Sequence, residues 1–214
     1  MNLLEAVRKL KIDPIILICS TSEVYGTVKI ENTPISEKNM LNPASPYAVS
    51  KTFQDLLSQT YYKNFNLKII ITRMFSYFNS RRNNLFSSNW ANQIAEIERG
   101  KLKILKHGNL NSIRTIIGIN DAMEAYWKAA TLGKIGQIYN IGGGKTIKIK
   151  KILNLLKKKS NIKIRTKIDK KLLRKTDVTL QIPDCSKFIK HCNWEPKENF
   201  EKSLGDLLED FRGR

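Results

Sequence analysis

Ile15-Ile16-Leu17-Ile18-Cys19-Ser20-Thr21-Ser22-Glu23-Val24-Tyr25-Gly26, followed by Ser45-Pro46-Tyr47-Ala48-Val49-Ser50-Lys51, is the stretch that decides the fold. Its first five residues are a continuous apolar run, which suits a strand buried on both faces of a parallel sheet. Thr21, Ser22 and Glu23 then stand at the C-terminal end of that strand, where α/β sheets hold their ligands. Residues 20–45 are rich in turn formers without a sustained period, the pattern of a long functional loop. Ser45 suits an N-cap and Pro46 the first turn of a helix running to about Phe65. Tyr47 and Lys51, four residues apart, share one face of that helix with Cβ atoms about 5–6 Å apart. A phenol with an ammonium one turn away is a usable general base. A lone Tyr-x-x-x-Lys is commonly plain surface; the Thr-Ser-Glu at a strand end gives this one weight.

Outward from this stretch, helical and strand patterns alternate. Leu3, Leu4, Val7 and Leu10 give Asn2–Leu10 a helical period, and Leu67–Thr72 is a second buried strand. Residues 73–86 form a polar loop, and Phe86–Arg99 a helix closed by Gly100. Lys101–Lys106 alternates as a strand with one wet face, and Arg114–Ile117 is a further short strand. Asn120 is placed as the cap of a helix over Asp121–Thr131. Gln137–Ile141 is a strand, and Gly142-Gly143-Gly144 reads as a strand-to-helix turn before the helix Lys148–Lys159. Ile162–Ile168 alternates as a strand, and Pro183–Arg214 gives two helical pieces around Trp194-Glu195-Pro196. This order predicts an α/β fold with a parallel sheet. No Gly-x-Gly-x-x-Gly follows a strand anywhere in the 214 residues.

Composition narrows the function classes. A hydrophobic share of 41% with 27% charged residues is that of an ordinary soluble globular chain. Met1-Asn2-Leu3-Leu4-Glu5 has the wrong charge order for a signal peptide, and Ile15–Cys19 is far too short to span a bilayer. Cys19, Cys185 and Cys192 are odd in number and lack Cys-x-x-Cys spacing, and histidines number two. The expectation is a reduced, cytoplasmic, metal-free protein with no membrane partner. The net charge of +19 raises nucleic acid as a partner. Only Lys148–Lys151 and Lys157–Lys159 cluster, and neither cluster has an aromatic residue among its lysines. The reading is a solvated lysine surface without a nucleic-acid partner, whose positive potential attracts a diphosphate-bearing substrate. A basic nucleic-acid-binding protein is the alternative of another class.

The two motifs in order resemble the extended short-chain dehydrogenase/reductase (NAD-dependent epimerase/dehydratase) superfamily, and within it the GDP-mannose 4,6-dehydratase group most. Gly108-Asn109-Leu110-Asn111-Ser112-Ile113-Arg114, Tyr139-Asn140-Ile141-Gly142, Asp177-Val178 and Trp194-Glu195-Pro196 match family segments as well. The resemblance implies a partial Rossmann-type parallel sheet with a small C-terminal α/β substrate-binding region. Residues 1–100 would hold the catalytic motifs and 101–214 mainly the substrate-binding region, with a strand and helix near 114–141 partly returning to the core. It implies catalytic roles for Tyr47, the base at the sugar 4-hydroxyl; Lys51, which holds the cofactor ribose; Glu23, which removes the C5 proton; and Thr21, which hydrogen-bonds the 4-oxygen. Lys51, Tyr77 and Arg82 would contact NADP (or NAD), while Ser22, Arg114 and Arg174 would bind the nucleotide sugar, GDP-mannose, in a chain that is homo-oligomeric at full length. Bidentate guanidinium geometry suits a diphosphate.

The sequence also departs from the family. Ser76 and Tyr77 stand where the dehydratases commonly show Asn-His, Thr115 replaces an Asp after Arg114, and Lys175 replaces a proline after Arg174. The front of the family, with its phosphate-cradling glycines, has no counterpart among these residues, so the expectation is a chain lacking the N-terminal dinucleotide-binding segment and inactive in this form. The GDP-4-keto-6-deoxymannose reductases share most of the same segments; Thr21 with Glu23, and the Arg81-Arg82 pair, favour the dehydratase.

Overall fold

The computed structural model describes residues 1–82, 85–173 and 180–214. A helix, α1 (Asn2–Leu10), leads into β1 (Ile16–Thr21) and a 3-10 turn at Ser22–Tyr25. The long helix α2 (Pro46–Phe65) returns the chain to β2 (Ile69–Met74), and β3 (Ser76–Tyr77) follows. Then come α3 (Phe86–Glu98), β4 (Leu105–His107), β5 (Ile113–Ile117), α4 (Ile119–Leu132) and β6 (Ile138–Ile141). The remainder is β7 (Thr146–Lys148), α5 (Ile149–Lys158), β8 (Thr166–Ile168), β9 (Leu180–Gln181), α6 (Ser186–Cys192) and α7 (Phe200–Arg212).

The central sheet runs β1-β2-β6, parallel throughout, with Ile16 opposite Ile69 and Ile71 opposite Ile138. The alternation of β2 explains why a parallel strand needs a continuous apolar run. Ile69 and Ile71 pack with Leu4, Val7 and Tyr61 of α1 and α2 on one face, whereas Ile70 and Met74 join Ala122, Ala125 and Ala129 of α4 on the other. Three alanines on one stripe let α4 approach the sheet closely, and they turn Met123 and Trp127 outward into solvent. β1 forms the margin of this sheet, with Ile15 and Cys19 exposed along it.

A second sheet is centred on β5, which takes β3 and β9 in parallel and β7 antiparallel. β4 and β8 form a separate parallel pair. The core beside them is built from α3, α5 and α7, with Trp90, Ile94, Ile152, Leu204 and Phe211 all buried. No helix among the described residues is long and apolar enough to cross a membrane.

Several boundaries differ from the sequence expectation, each for a local reason. β1 and β2 run on to Thr21 and Met74 because Ser20 and Thr21 find register partners in Arg73 and Met74. The polar segment 73–86 holds the end of β2 and all of β3, a two-residue strand too short to show a period. In 101–106, the Lys101 and Leu102 amides bond back to the Glu96 carbonyl and close α3, which leaves only Leu105–His107 as strand. Likewise only Thr166–Ile168 of the 162–168 segment pairs, against β4. Gly118, not Asn120, is the N-cap of α4, and the Asn120 amide instead donates to Glu198 at 2.7 Å. The glycine turn leads to a strand rather than to a helix: with φ of 120° at Gly143 and 75° at Gly144, the chain reverses and β7 runs antiparallel to β5.

Candidate active site

The C-terminal ends of β1 and β2 open into a cavity of about 250 Å³. Its floor is Cys19–Glu23 and Met74–Tyr77, and α2 supplies Tyr47 and Lys51 along one wall. Pre-shaped local structure delivers these groups. Ser45 caps α2, its hydroxyl accepting from the Ala48 amide at 3.1 Å, and Pro46 occupies the first turn. Tyr47 therefore sits at the mouth of the helix, 44% exposed, with Lys51 one turn deeper.

Lys51 Nζ donates to the Cys19 carbonyl at 2.8 Å and to Gln54 Oε1 at 3.0 Å. An ammonium has three donors, so one remains without an acceptor among the described residues. Thr21 Oγ1 accepts from the Glu23 amide at 3.3 Å and so starts the 3-10 turn. The Glu23 carboxylate is half-buried and makes no hydrogen bond or ion pair with another described residue. Ser22 is sealed beneath it, with its hydroxyl donating to Gln181 Oε1.

Thr21, Ser22, Glu23, Tyr47, Lys51, Tyr77, Arg82 and Arg114 thus all line this cavity. They arrive from β1, its 3-10 turn, α2, β3, the segment before α3, and β5. Arg174, together with Asp177-Val178, lies outside the described residues. Gln181 and Tyr126 are among the lining residues that sequence did not single out. Gln181, 1% exposed, reaches the site on the short strand β9, and no local pattern marks it. Tyr126 faces the cavity from α4; burial raises its pKa, as do Cys19, Tyr77 and Tyr47 nearby, against a smaller lowering by Arg82. The period of α4 does carry a signal for it, since Ala122, Ala125 and Ala129 place Tyr126 beside the sheet-facing stripe.

Below the floor lies a buried ion pair. Arg73 of β2 and Asp55 of α2 are bonded through Nε–Oδ2 at 2.9 Å and Nη2–Oδ1 at 3.0 Å. Removing one partner of such a pair commonly costs about 3–5 kcal/mol, because the other charge is left buried alone. Tyr25 packs under the Arg73 guanidinium, 5.1 Å from ring centroid to Cζ, and burial pushes its phenol up to about 12.

The family model described as GDP-mannose 4,6 dehydratase matches residues 1–207. The GDP-6-deoxy-D-mannose reductase of Pseudomonas aeruginosa is 24% identical over 216 residues, covering 100% of this chain and 71% of that protein. The GDP-mannose 4,6 dehydratase of Drosophila melanogaster is 26% identical over 209 residues, covering 88% of this chain and 52% of that protein. The chain thus spans about half the length of that dehydratase. Among solved structures, RMD from Pseudomonas aeruginosa, complexed with NADPH, superposes with a TM-score of 0.91 at 24% identity, over 99% of this chain and 71% of that one. That likeness shows the fold: a parallel α/β sheet of the Rossmann type.

Proposed function

We propose that this chain, which belongs to the GDP-mannose 4,6 dehydratase family, supplies the catalytic part of a nucleotide-sugar 4,6-dehydratase that acts on GDP-mannose with NADP. The observation that carries the reading is the gathering of Thr21, Glu23, Tyr47 and Lys51 on one cavity at the strand ends. Bound NADP would supply reversible hydride chemistry between C4 and C6 of the sugar, so that the reaction has no net redox change. The residues present fit its ribose end: Lys51 keeps one donor without an acceptor among the described residues, and Arg82 lines the same cavity. The pyrophosphate end needs a glycine-rich turn at a helix N-terminus, a motif absent from these 214 residues.

Tyr47 takes the 4-hydroxyl proton, with Lys51 one turn along the same helix on the wall of the cavity. Thr21 hydrogen-bonds the 4-oxygen as it becomes a carbonyl. Once C4 is a ketone, the C5 proton is acidic; Glu23 removes it and assists the C6 hydroxyl to leave as water. A carboxylate without a hydrogen-bond or ion-pair partner among the described residues suits that double task. Arg114 and Arg174 hold the diphosphate, with Ser22 and Gln181 bracing the floor.

The second reading is a 4-keto-6-deoxy sugar reductase, favoured by the reductase relative that matches the whole chain. Simple carbonyl reduction uses Tyr47 and Lys51 but needs no base at C5. The test is to extend the chain at its N-terminus with a glycine-rich dinucleotide-binding segment and to supply GDP-mannose. Formation of the 4-keto-6-deoxy product supports the dehydratase. Inertness on GDP-mannose, with NADPH-dependent reduction of the keto sugar, replaces it with the reductase.

A further inference from the structure

A polar row beneath the cavity floor is not used by the chemistry above. Ser20, Arg73 and Asn140 are register partners across β1, β2 and β6, each one residue short of its strand end. All three are buried, as are Asp55 of α2 and Tyr25 of the 3-10 turn. One Asp55 oxygen accepts from Ser20 Oγ at 2.8 Å and Arg73 Nε at 2.9 Å. The other accepts from Arg73 Nη2 at 3.0 Å and Gln59 Nε2 at 2.9 Å. The remaining arm of the guanidinium, Nη1, donates to the Tyr25 hydroxyl at 3.0 Å and the Glu37 carbonyl at 3.3 Å. Tyr25 passes its own proton on to Asn140 Oδ1 at 2.7 Å.

We propose that Arg73 and Asp55 are positioning residues that set Glu23 against Tyr47 and Lys51, an inference that rests on the functional reading above. Three segments meet at this one guanidinium. Asp55 lies one helical turn beyond Lys51 and two beyond Tyr47. Ser20 is the residue before Thr21, and Tyr25 shares the 3-10 turn with Glu23. Apolar packing already holds these layers together, through Ile69 and Ile71 against α1 and α2. Such packing is non-directional and leaves small slides and rotations cheap. A planar fork bonded on two edges fixes direction as well as distance. Stability alone is a poor reason for the pair, since apolar side chains of similar volume often replace a buried ion pair without loss.

The experiment uses the full 214-residue chain in two variants, Tyr25→Phe and the double change Asp55→Leu with Arg73→Met. The first deletes only the hydroxyl that links the pair to the 3-10 turn; the second replaces the pair by apolar bulk. Both should melt within a few degrees of the parent. Hydrogen exchange read by mass spectrometry should quicken roughly tenfold or more at residues 22–26 in both variants, and also at 45–51 in the double variant. Peptides from α5 and α7 should be unchanged. In the N-terminally extended, turnover-competent form, the double variant should lose kcat by roughly tenfold or more while KM for the sugar nucleotide stays within about twofold. Parent-like exchange at both segments overturns the proposal, and so does acceleration spread evenly over the sheet with a fallen Tm, which marks a merely structural pair. If the double variant does not fold, Tyr25→Phe decides alone. If the extended parent shows no turnover, the functional reading fails while exchange still judges the positioning role.

Discussion

Arg212 in the last turn of α7 grips Glu98 at the end of α3 with two parallel bonds, Nε–Oε2 at 2.8 Å and Nη2–Oε1 at 2.6 Å. Ser160 Oγ and the Asn161 amide bind the same carboxylate. These partners, Arg212 foremost, hold the Glu98 pKa at about 2, below its ordinary 4.5. A group whose folded pKa is depressed contributes stability that is full above its unfolded pKa and lost as pH falls through the folded one. The parent should therefore lose on the order of 2 kcal/mol through this site between about pH 4.5 and pH 2. Urea unfolding across that range should show a loss that is smaller in Glu98→Gln than in the parent by about that amount. An equal loss in both chains would assign the acid sensitivity elsewhere.

The catalytic assignment separates two carboxyl-to-amide and phenol-to-phenyl outcomes. In the N-terminally extended form, Glu23→Gln should abolish water loss from GDP-mannose yet leave C4 oxidation visible as accumulating reduced cofactor absorbance. Tyr47→Phe should block that absorbance from the start, with a loss of roughly 100-fold or more, since the 4-hydroxyl proton has no acceptor. Turnover of GDP-mannose by Glu23→Gln at the parent rate would sink the dehydratase reading.

Cofactor affinity should track the missing motif rather than the residues present. Calorimetry on the 214 residues should find no micromolar NADP binding, although Lys51 and Arg82 line the cavity. Micromolar binding would mean that the pyrophosphate is held by some other group of this chain.

The cap of α2 has a measurable weight. Ser45→Ala deletes the acceptor for the Ala48 amide and should cost about 1 kcal/mol by chemical denaturation, whereas Ser45→Asp should nearly restore it. In the extended form, Ser45→Ala should also lower kcat, because Tyr47 rides on the turn that the cap secures. A stability loss with unchanged kcat would separate the cap from catalysis.

Long elements and the paired motifs were readable from sequence because each carries its own signal. α1 and α2 appear with the expected bounds, and the three apolar strands lie in one parallel sheet with ends within two residues of those expected. What escaped is what depends on distant partners. β3, β7 and β9 are two or three residues long and exist only because β5 offers a ladder. Gln181 reaches Ser22 from 159 residues away. Asp55 reads as one more polar residue on a helix, and Arg73 as the first residue of a polar loop; only the fold puts them 2.9 Å apart.

Trp90 and Trp194 are sealed in the two cores at 3% and 1% exposure, whereas Trp127 on the outer side of α4 is 71% exposed. The chain thus carries a native optical reporter on one defined surface. Selective excitation at the red edge of tryptophan absorption, or quenching by iodide, addresses Trp127 and leaves the other two indoles dark to the quencher. Any protein segment that comes to rest over Met123 and Trp127 should shift the emission to the blue and shield it from iodide. Association at this side of the sheet can therefore be titrated without a label.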